Sequence, residues 1–566
     1  MAVTAMRGAG APATLPRSEG DEVTTPVFDL YSQPWIPVVR DSAEELVSLR
    51  TAITDAHRID GLAALDGPRF AGLLRLLVAL VMDVYGQPAN DRDWAARREQ
   101  GHFDAQMLDS YVAEVGPSRF DLFDREHPFM QSATVQSDPK SIAEMLPHVA
   151  TGNRTPIWTP DTDATPRKLT FAQAAQALVA GQAVAVPNPG RAEGKWPKGT
   201  WKGFNFTGRA GAVGFCCPIA ETLFETLMLN LPNGNHAARD KTDLPIWRRD
   251  EVPSSRCKRP ADGMADLLTW TPRRVRLIPE EGSVSRLFLR AGDTMPDLVL
   301  DHEPHTAFQQ SDGKGEGAKP AGQWYPYKHR RDSIGWRGIP QLLALGDRKT
   351  GSRPSIAVRA LGDRLELLPP DYRITVLSMY VEYGGNGSVV KDIATDSFPL
   401  PVRAFELAES DVREIDVRDM LVDLVGTADR VGNLVRSYAA DVYAVTQRDR
   451  SPNSKDRKAS KSFADSVEAD LNSRIDTITR RFLTQLAANP SAMDTFRAEW
   501  NTQLRGLVDA AVTQVNTDCG PSVFALIHRT NSAGRKAVAV NPPAIRQTQL
   551  RGQLDLLLGP NEEASA

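Results

Sequence analysis

Between Gly190 and Phe215 the chain reads GRAEGKWPKGTWKGFNFTGRAGAVGF. Here Arg191, Lys195, Lys198, Lys202 and Arg209 face a single acid, Glu193, with Trp196, Trp201, Phe204, Phe206 and Phe215 interleaved. Lys and Arg neutralise phosphates, glycines let a backbone approach a ligand closely, and aromatic rings stack or wedge. On composition the stretch fits first a glycine-rich surface loop whose aromatics are buried, and second a local nucleic-acid contact. It does not fit a nucleotide-phosphate loop. Gly190, Gly194 and Lys195 give GxxxGK, one spacer short, and Trp196 stands where a magnesium-binding Ser or Thr is needed.

Other segments carry reactive residue types at spacings that do not suit them. FDREHPFMQ (Phe123 to Gln131) sets His127 beside Asp124 and Glu126, but a His before a Pro in a turn matches no ligand motif and reads as structural. In DHEPH (Asp301 to His305) the two His are three apart, with Pro304 between them. A metalloprotease helix needs HExxH, so that reading is rejected. No GxSxG elbow occurs. The cysteines, Cys216, Cys217, Cys257 and Cys519, form no CxxC pair, so neither a zinc knuckle nor a disulfide framework is indicated. The sequence predicts a protein that is not an enzyme and holds no metal or cofactor, with a metal-dependent hydrolase using the His127 or His302 region, or a purely structural scaffold, as the alternatives.

Several elements must position these residues. Phe28 to Val39 (FDLYSQPWIPVV) reads as a strand, with Leu46 to Leu49 as its partner. Arg69 to Tyr85 is a buried helix ended by Gly86 and Pro88, and further helices are expected at Asp91–Gln100, Phe103–Val115, Phe171–Ala180 and Pro218–Leu231. RRVRL (Arg273 to Leu277) alternates as a strand, with Arg274 and Arg276 on a face expected to be solvated. ITVLSMYVEY (Ile374 to Tyr383), then GGNGS, then VVKDI, is a strong hairpin signal. From about Phe398 the apolar period changes to three- and four-residue steps, in stripes through Val417–Val442, Phe463–Phe482, Met493–Ala511 and Ile545–Leu557. The basic connection Arg448 to Lys461 reads as a solvated loop.

At 566 residues the chain exceeds one ordinary core. The expected class is α+β: a disordered tail over 1–25, a large mixed globular domain over 26–400, and a four-helix bundle over 401–560. A net charge of -4 argues against coating nucleic acid by bulk charge, so any such contact must be a local patch. No apolar run reaches the roughly 18 residues of a membrane helix, no signal peptide is evident, and the cysteine usage fits a cytoplasmic location.

PWIP in the opening strand, HPFMQ at His127 to Gln131, the glycine-rich basic loop and the terminal helices together resemble one family. It is the large-subunit (CasA) family of the type I-E CRISPR surveillance complex, Cascade, and the resemblance runs from about Val27 to Gly559. It implies a non-catalytic subunit that recognises the protospacer-adjacent motif (PAM) in double-stranded target DNA. Such a subunit helps open the duplex and helps recruit a helicase–nuclease. Its partners would be that DNA, the CRISPR RNA, other Cascade subunits and the nuclease, with no membrane. Guide pairing reads the long sequence while protein reads the short motif, largely from the degenerate minor groove. By resemblance the family's glycine loop falls on Gly199 to Gly203. Gly199 and Gly203 match glycines there, and Lys202 stands where a glycine is common. The wedge hairpin falls on Asn386, Gly387 and Ser388. Asn386 matches a motif-facing asparagine, and Gly387 stands where a glutamine wedge is known. A loop that contacts the guide-RNA end or a neighbouring subunit falls on Asn153 to Lys168, with Trp158 at its aromatic position. A basic residue between Arg273 and Arg290 completes the motif contact.

Overall fold

The computed structural model describes residues 27–63, 66–149, 167–184, 208–250, 252–253, 259–295, 302–314, 320–331, 334–343, 351–369, 372–384, 389–405, 417–446, 454–524, 527–530, 536–540 and 542–559. Its N-terminal body is built around the Gly67–Tyr85 helix. Asp66 caps that helix by accepting from the Arg69 backbone N–H at 2.8 Å, Pro68 sits in the first turn, and Gly86 ends it at φ 75°. Every residue except Arg69 and Tyr85 is buried. A helix that is apolar all round must be covered on every side. One side is covered by the Phe171–Val184 helix, which runs past the expected Ala180. The two backbones come close where Gly72 meets Val179.

The opening signature packs onto this core. Trp35 is fully buried and donates its indole N–H to the Leu30 carbonyl at 3.0 Å. The strand proper is Ile36–Arg40, antiparallel to Ala43–Val47 (Ile36 opposite Val47) and to Gly61–Leu62. It starts later than the sequence suggests because Asp29 and Pro34 hold the preceding residues in a turn. The helices Asp91–Glu99 and Ala105–Val115 are where the sequence places them.

Two further sheets frame the candidate site. In one, Ser283–Ala291 pairs with Arg273–Glu280, Lys140–Ser141 and Leu169–Thr170. In the other, the long strand Arg373–Gly384 lies between Val389–Pro401 and Phe215–Ile219. The Phe215–Ile219 strand corrects the expected Pro218–Leu231 helix. Phe215, Cys216 and Cys217 are buried against the long strand, and the helix begins only at Leu223, where Thr222 accepts from the Glu225 N–H. The RRVRL face is corrected too. Arg274 is buried and bound to Asp293, and the Arg276 guanidinium donates to the Ala133 carbonyl.

The C-terminal region is helical over Val417–Thr446, Ser454–Ala488, Met493–Cys519 and Pro542–Leu558. The first of these packs against each of the other three, as the apolar stripes require. Lys455, Arg457, Lys458 and Lys461 belong to the Ser454–Ala488 helix rather than to a loop. Among the described residues no helix is long and apolar enough to cross a membrane.

Candidate nucleic-acid interface

The residues carried over from the family fall outside the described residues: Gly199, Lys202 and Gly203 in 185–207, Asn386, Gly387 and Ser388 in 385–388, and Trp158 in 150–166. The segments that flank them are described, and all border on one element, the long hairpin Arg373–Gly384 and Val389–Pro401.

The glycine-rich run leaves from Val184 and returns at Gly208. Those two ends touch, and a Cβ at residue 208 would collide with the Ala183 and Val184 backbone, so only glycine permits the approach. The return continues through the short helix Arg209–Ala212 into Phe215–Ile219, which pairs with the hairpin from Phe215 opposite Met379. Tyr383, next to the last described residue before the hairpin tip, donates its hydroxyl to the Val184 carbonyl at 3.0 Å. Gly211 packs against the same hydroxyl. Tyr383 is half-buried with its hydroxyl end enclosed, and that enclosure raises its pKa.

The surroundings of this stem are rich in cations. The Lys328 ammonium lies 5.2 Å from the centre of the Tyr383 ring, and burial lowers its pKa while Glu382 opposes the shift. Arg331 pairs with Asp392 on the second strand at 2.6 Å, and Lys391 sits 3.8 Å from Glu382. Arg209, the first residue of the short helix, is buried, and burial brings its pKa down to about 10 despite nearby Glu303. Gln182 holds the backbone of Arg273 at both ends of its amide, Nε2 donating to the carbonyl at 3.0 Å and Oε1 accepting from the N–H at 3.3 Å. KHRR at 328–331 carries a basic signal in the sequence, and reading that run against the hairpin pattern could have singled it out.

The third flank reaches the hairpin from the other side. His148 and Arg167, on either side of 150–166, line a cavity of about 540 Å³ with Arg69, Gln176 and the hairpin's Ile393 and Thr395. Within Arg273–Arg290, Arg273 and Arg274 are buried and the Arg290 guanidinium donates to the Gln136 carbonyl. Arg286 is the more exposed cation there, 3.4 Å from Glu280.

The segments that looked reactive are occupied with packing. Asp124 accepts from the backbone N–H groups of Glu126 and His127, fixing a turn. His305 is fully buried against Phe215, and burial drives its pKa well down. Glu303 binds Arg75 at 2.7 Å.

Residues 29–511 match the model of the family described as CRISPR-associated protein Cse1. The chain belongs to this family. Thermus thermophilus CasA/Cse1 is 30% identical over 294 residues, which are 51% of this chain and 56% of that relative, so the chain spans little more than half of it. The crystal structure of Cse1 from Acidimicrobium ferrooxidans matches at a TM-score of 0.74 and 25% identity, over 94% of this chain and 99% of that one. A chain of a CRISPR RNA-guided surveillance complex matches in fold at a TM-score of 0.60 and 19% identity, over 87% of this chain and 99% of that one. The mixed helix-and-sheet architecture is thus that of Cse1 structures.

Proposed function

We propose that this Cse1-family chain is the large, non-catalytic subunit of a cytoplasmic CRISPR-RNA-guided surveillance complex. In this reading it recognises the PAM in double-stranded target DNA, helps open the duplex beside it, and helps recruit a helicase–nuclease. The body over 26–400 carries the reading loops, and 401–560 forms a four-helix bundle. Gly199, Lys202 and Gly203 meet the duplex from the glycine-rich run, and Asn386, Gly387 and Ser388 meet it from the hairpin tip. Trp158 serves the guide RNA or a neighbouring subunit. The observation that carries the reading is the convergence of all three flanks on one hairpin with cations around its stem. A strand-built hairpin holds its tip rigidly, and glycines on the neighbouring run allow close backbone approach. Positive charge at the shared stem draws the phosphates in.

The test reconstitutes the complex with and without this chain. It measures binding to duplexes that share one guide-matched target and differ only in the adjacent base pairs. Discrimination should require the chain and fall in Lys202→Ala and Asn386→Ala. Lys202→Ala should also lower the slope of log affinity against log salt by about one, the signature of one lost phosphate contact. Equal discrimination without the chain would leave it a structural scaffold.

A further inference from the structure

We propose that Tyr383 is a positioning residue that joins the stem of the glycine-rich run to the stem of the hairpin tip, so that the two are presented to the duplex as one unit. The inference rests on the reading above that both segments contact target DNA.

Three observations carry it. Val184 ends its helix, and the last carbonyls of a helix have no partner within it. The Tyr383 hydroxyl supplies one at 3.0 Å, so a hairpin residue caps the helix from which the run departs. The same hydroxyl rests on Gly211, at the other end of the run, where any side chain would displace it. One phenol therefore touches the outgoing and the returning stem. Those stems are already closed on each other, because Gly208 lies against the Ala183–Val184 backbone.

The third observation is how Tyr383 comes to point there. The strand pairing runs in register from Arg373 opposite Pro401 to Glu382 opposite Asp392. It then skips, so that Tyr383 stands opposite Val390 and Lys391 has no counterpart. A bulge of this kind re-aims the neighbouring side chains and bends the ladder. Here it falls immediately before the tip. Lys328 closes over the Tyr383 ring, so the phenol is held at its hydroxyl and over its ring. Only Gly384 separates it from residues 385–388.

Two substitutions probe the joint in the reconstituted complex. Tyr383→Phe removes the hydroxyl and keeps the ring; Gly211→Ala adds a methyl against it. Each should lower discrimination between favoured and disfavoured motifs by about 3- to 10-fold, the range expected for one buried hydrogen bond. Assembly should be unchanged, and so should affinity for a single-stranded guide-matched target, which needs no duplex reading. An equal loss on that target would make Tyr383 an ordinary packing residue and overturn the proposal. Lys202→Ala and Asn386→Ala run alongside. If they lose discrimination while both stem variants keep it, the joint is wrong and the reading stands. If none of the four variants loses it, the reading fails and the joint falls with it.

Discussion

Of the three charged residues in the Gly67–Tyr85 helix of the body, Arg75 and Asp83 are buried, with partners far away in sequence. Arg75 binds Glu303 at 2.7 Å and donates to the Leu267 carbonyl at 3.0 Å. Asp83 accepts from Arg248 at 2.8 Å and from the Tyr111 hydroxyl, with His236 at 3.4 Å. The C-terminal helices place their charges differently. Leu421, Leu424, Val431, Leu471, Ile475, Leu504 and Val508 form the inside, while pairs such as Arg436–Asp465 stay on the surface. Apolar stripes tolerate small changes of register, whereas a buried charge tolerates only its own partner. The body is therefore the part whose geometry is singly specified, and the hairpin and the stems of the glycine-rich run are built on it.

Breaking the body's specification should have the largest effect. Glu303→Ala leaves Arg75 buried without its carboxylate and removes an acid that opposes the burial of Arg209. A loss of about 3–5 kcal/mol is expected in denaturant unfolding of the isolated chain. Replacing both partners, Arg75→Met with Glu303→Leu, should recover the part of the loss that comes from Arg75, because its buried charge goes with its partner. Next in size is a pH effect at His236. Burial pulls its pKa down, but Asp243 at 3.1 Å and Asp83 at 3.4 Å outweigh burial and hold it up at about 9. A folded-state pKa above the unfolded value of about 6.5 stabilises fully below pH ~6.5 and is lost as pH rises through about 9. Unfolding measured across that window should lose on the order of 2 kcal/mol in the native chain, and His236→Gln should flatten the curve.

The body was also the less legible part of the sequence, and for the same reason. The Gly67–Tyr85 helix announces itself by its apolar run and its Gly–Pro stop, and the C-terminal helices by their periodicity. Arg75 with Glu303 lies 228 residues apart, and no local pattern links them. RRVRL read as a strand but not as a buried one, because the acceptors Asp293 and Ala133 come from elsewhere in the chain. Phe215–Ile219 was missed because its pairing strand begins more than 150 residues later, at Arg373. At the candidate site the hairpin was legible from Asn-Gly between β-rich runs. The joint at Tyr383 was not, because it needs the bulge, Gly208 and Gly211 together.

The contact between the two regions gives a smaller effect. Arg480 on the Ser454–Ala488 helix binds Asp396 of the hairpin at 2.7 Å and Asp476 of its own helix at 2.7 Å, and the Trp336 indole donates to Asp476 at 2.8 Å. Arg480 is 37% exposed, so solvent screens the cluster and Arg480→Ala should cost only about 1 kcal/mol. Its signature is local: hydrogen exchange should quicken in the hairpin strand and around Asp476 while the Gly67–Tyr85 helix stays protected. Within the helices the expected effect is smaller again. Arg436 and Asp465 are 36% and 46% exposed, although their nitrogen and oxygen lie only 2.6 Å apart. Water and salt compete for both groups, so Arg436→Ala should change unfolding by less than about 1 kcal/mol and by nothing measurable in ~1 M salt. A loss as large as that of Glu303→Ala would mean that the helices too depend on specific charge partners, and the contrast with the body would collapse.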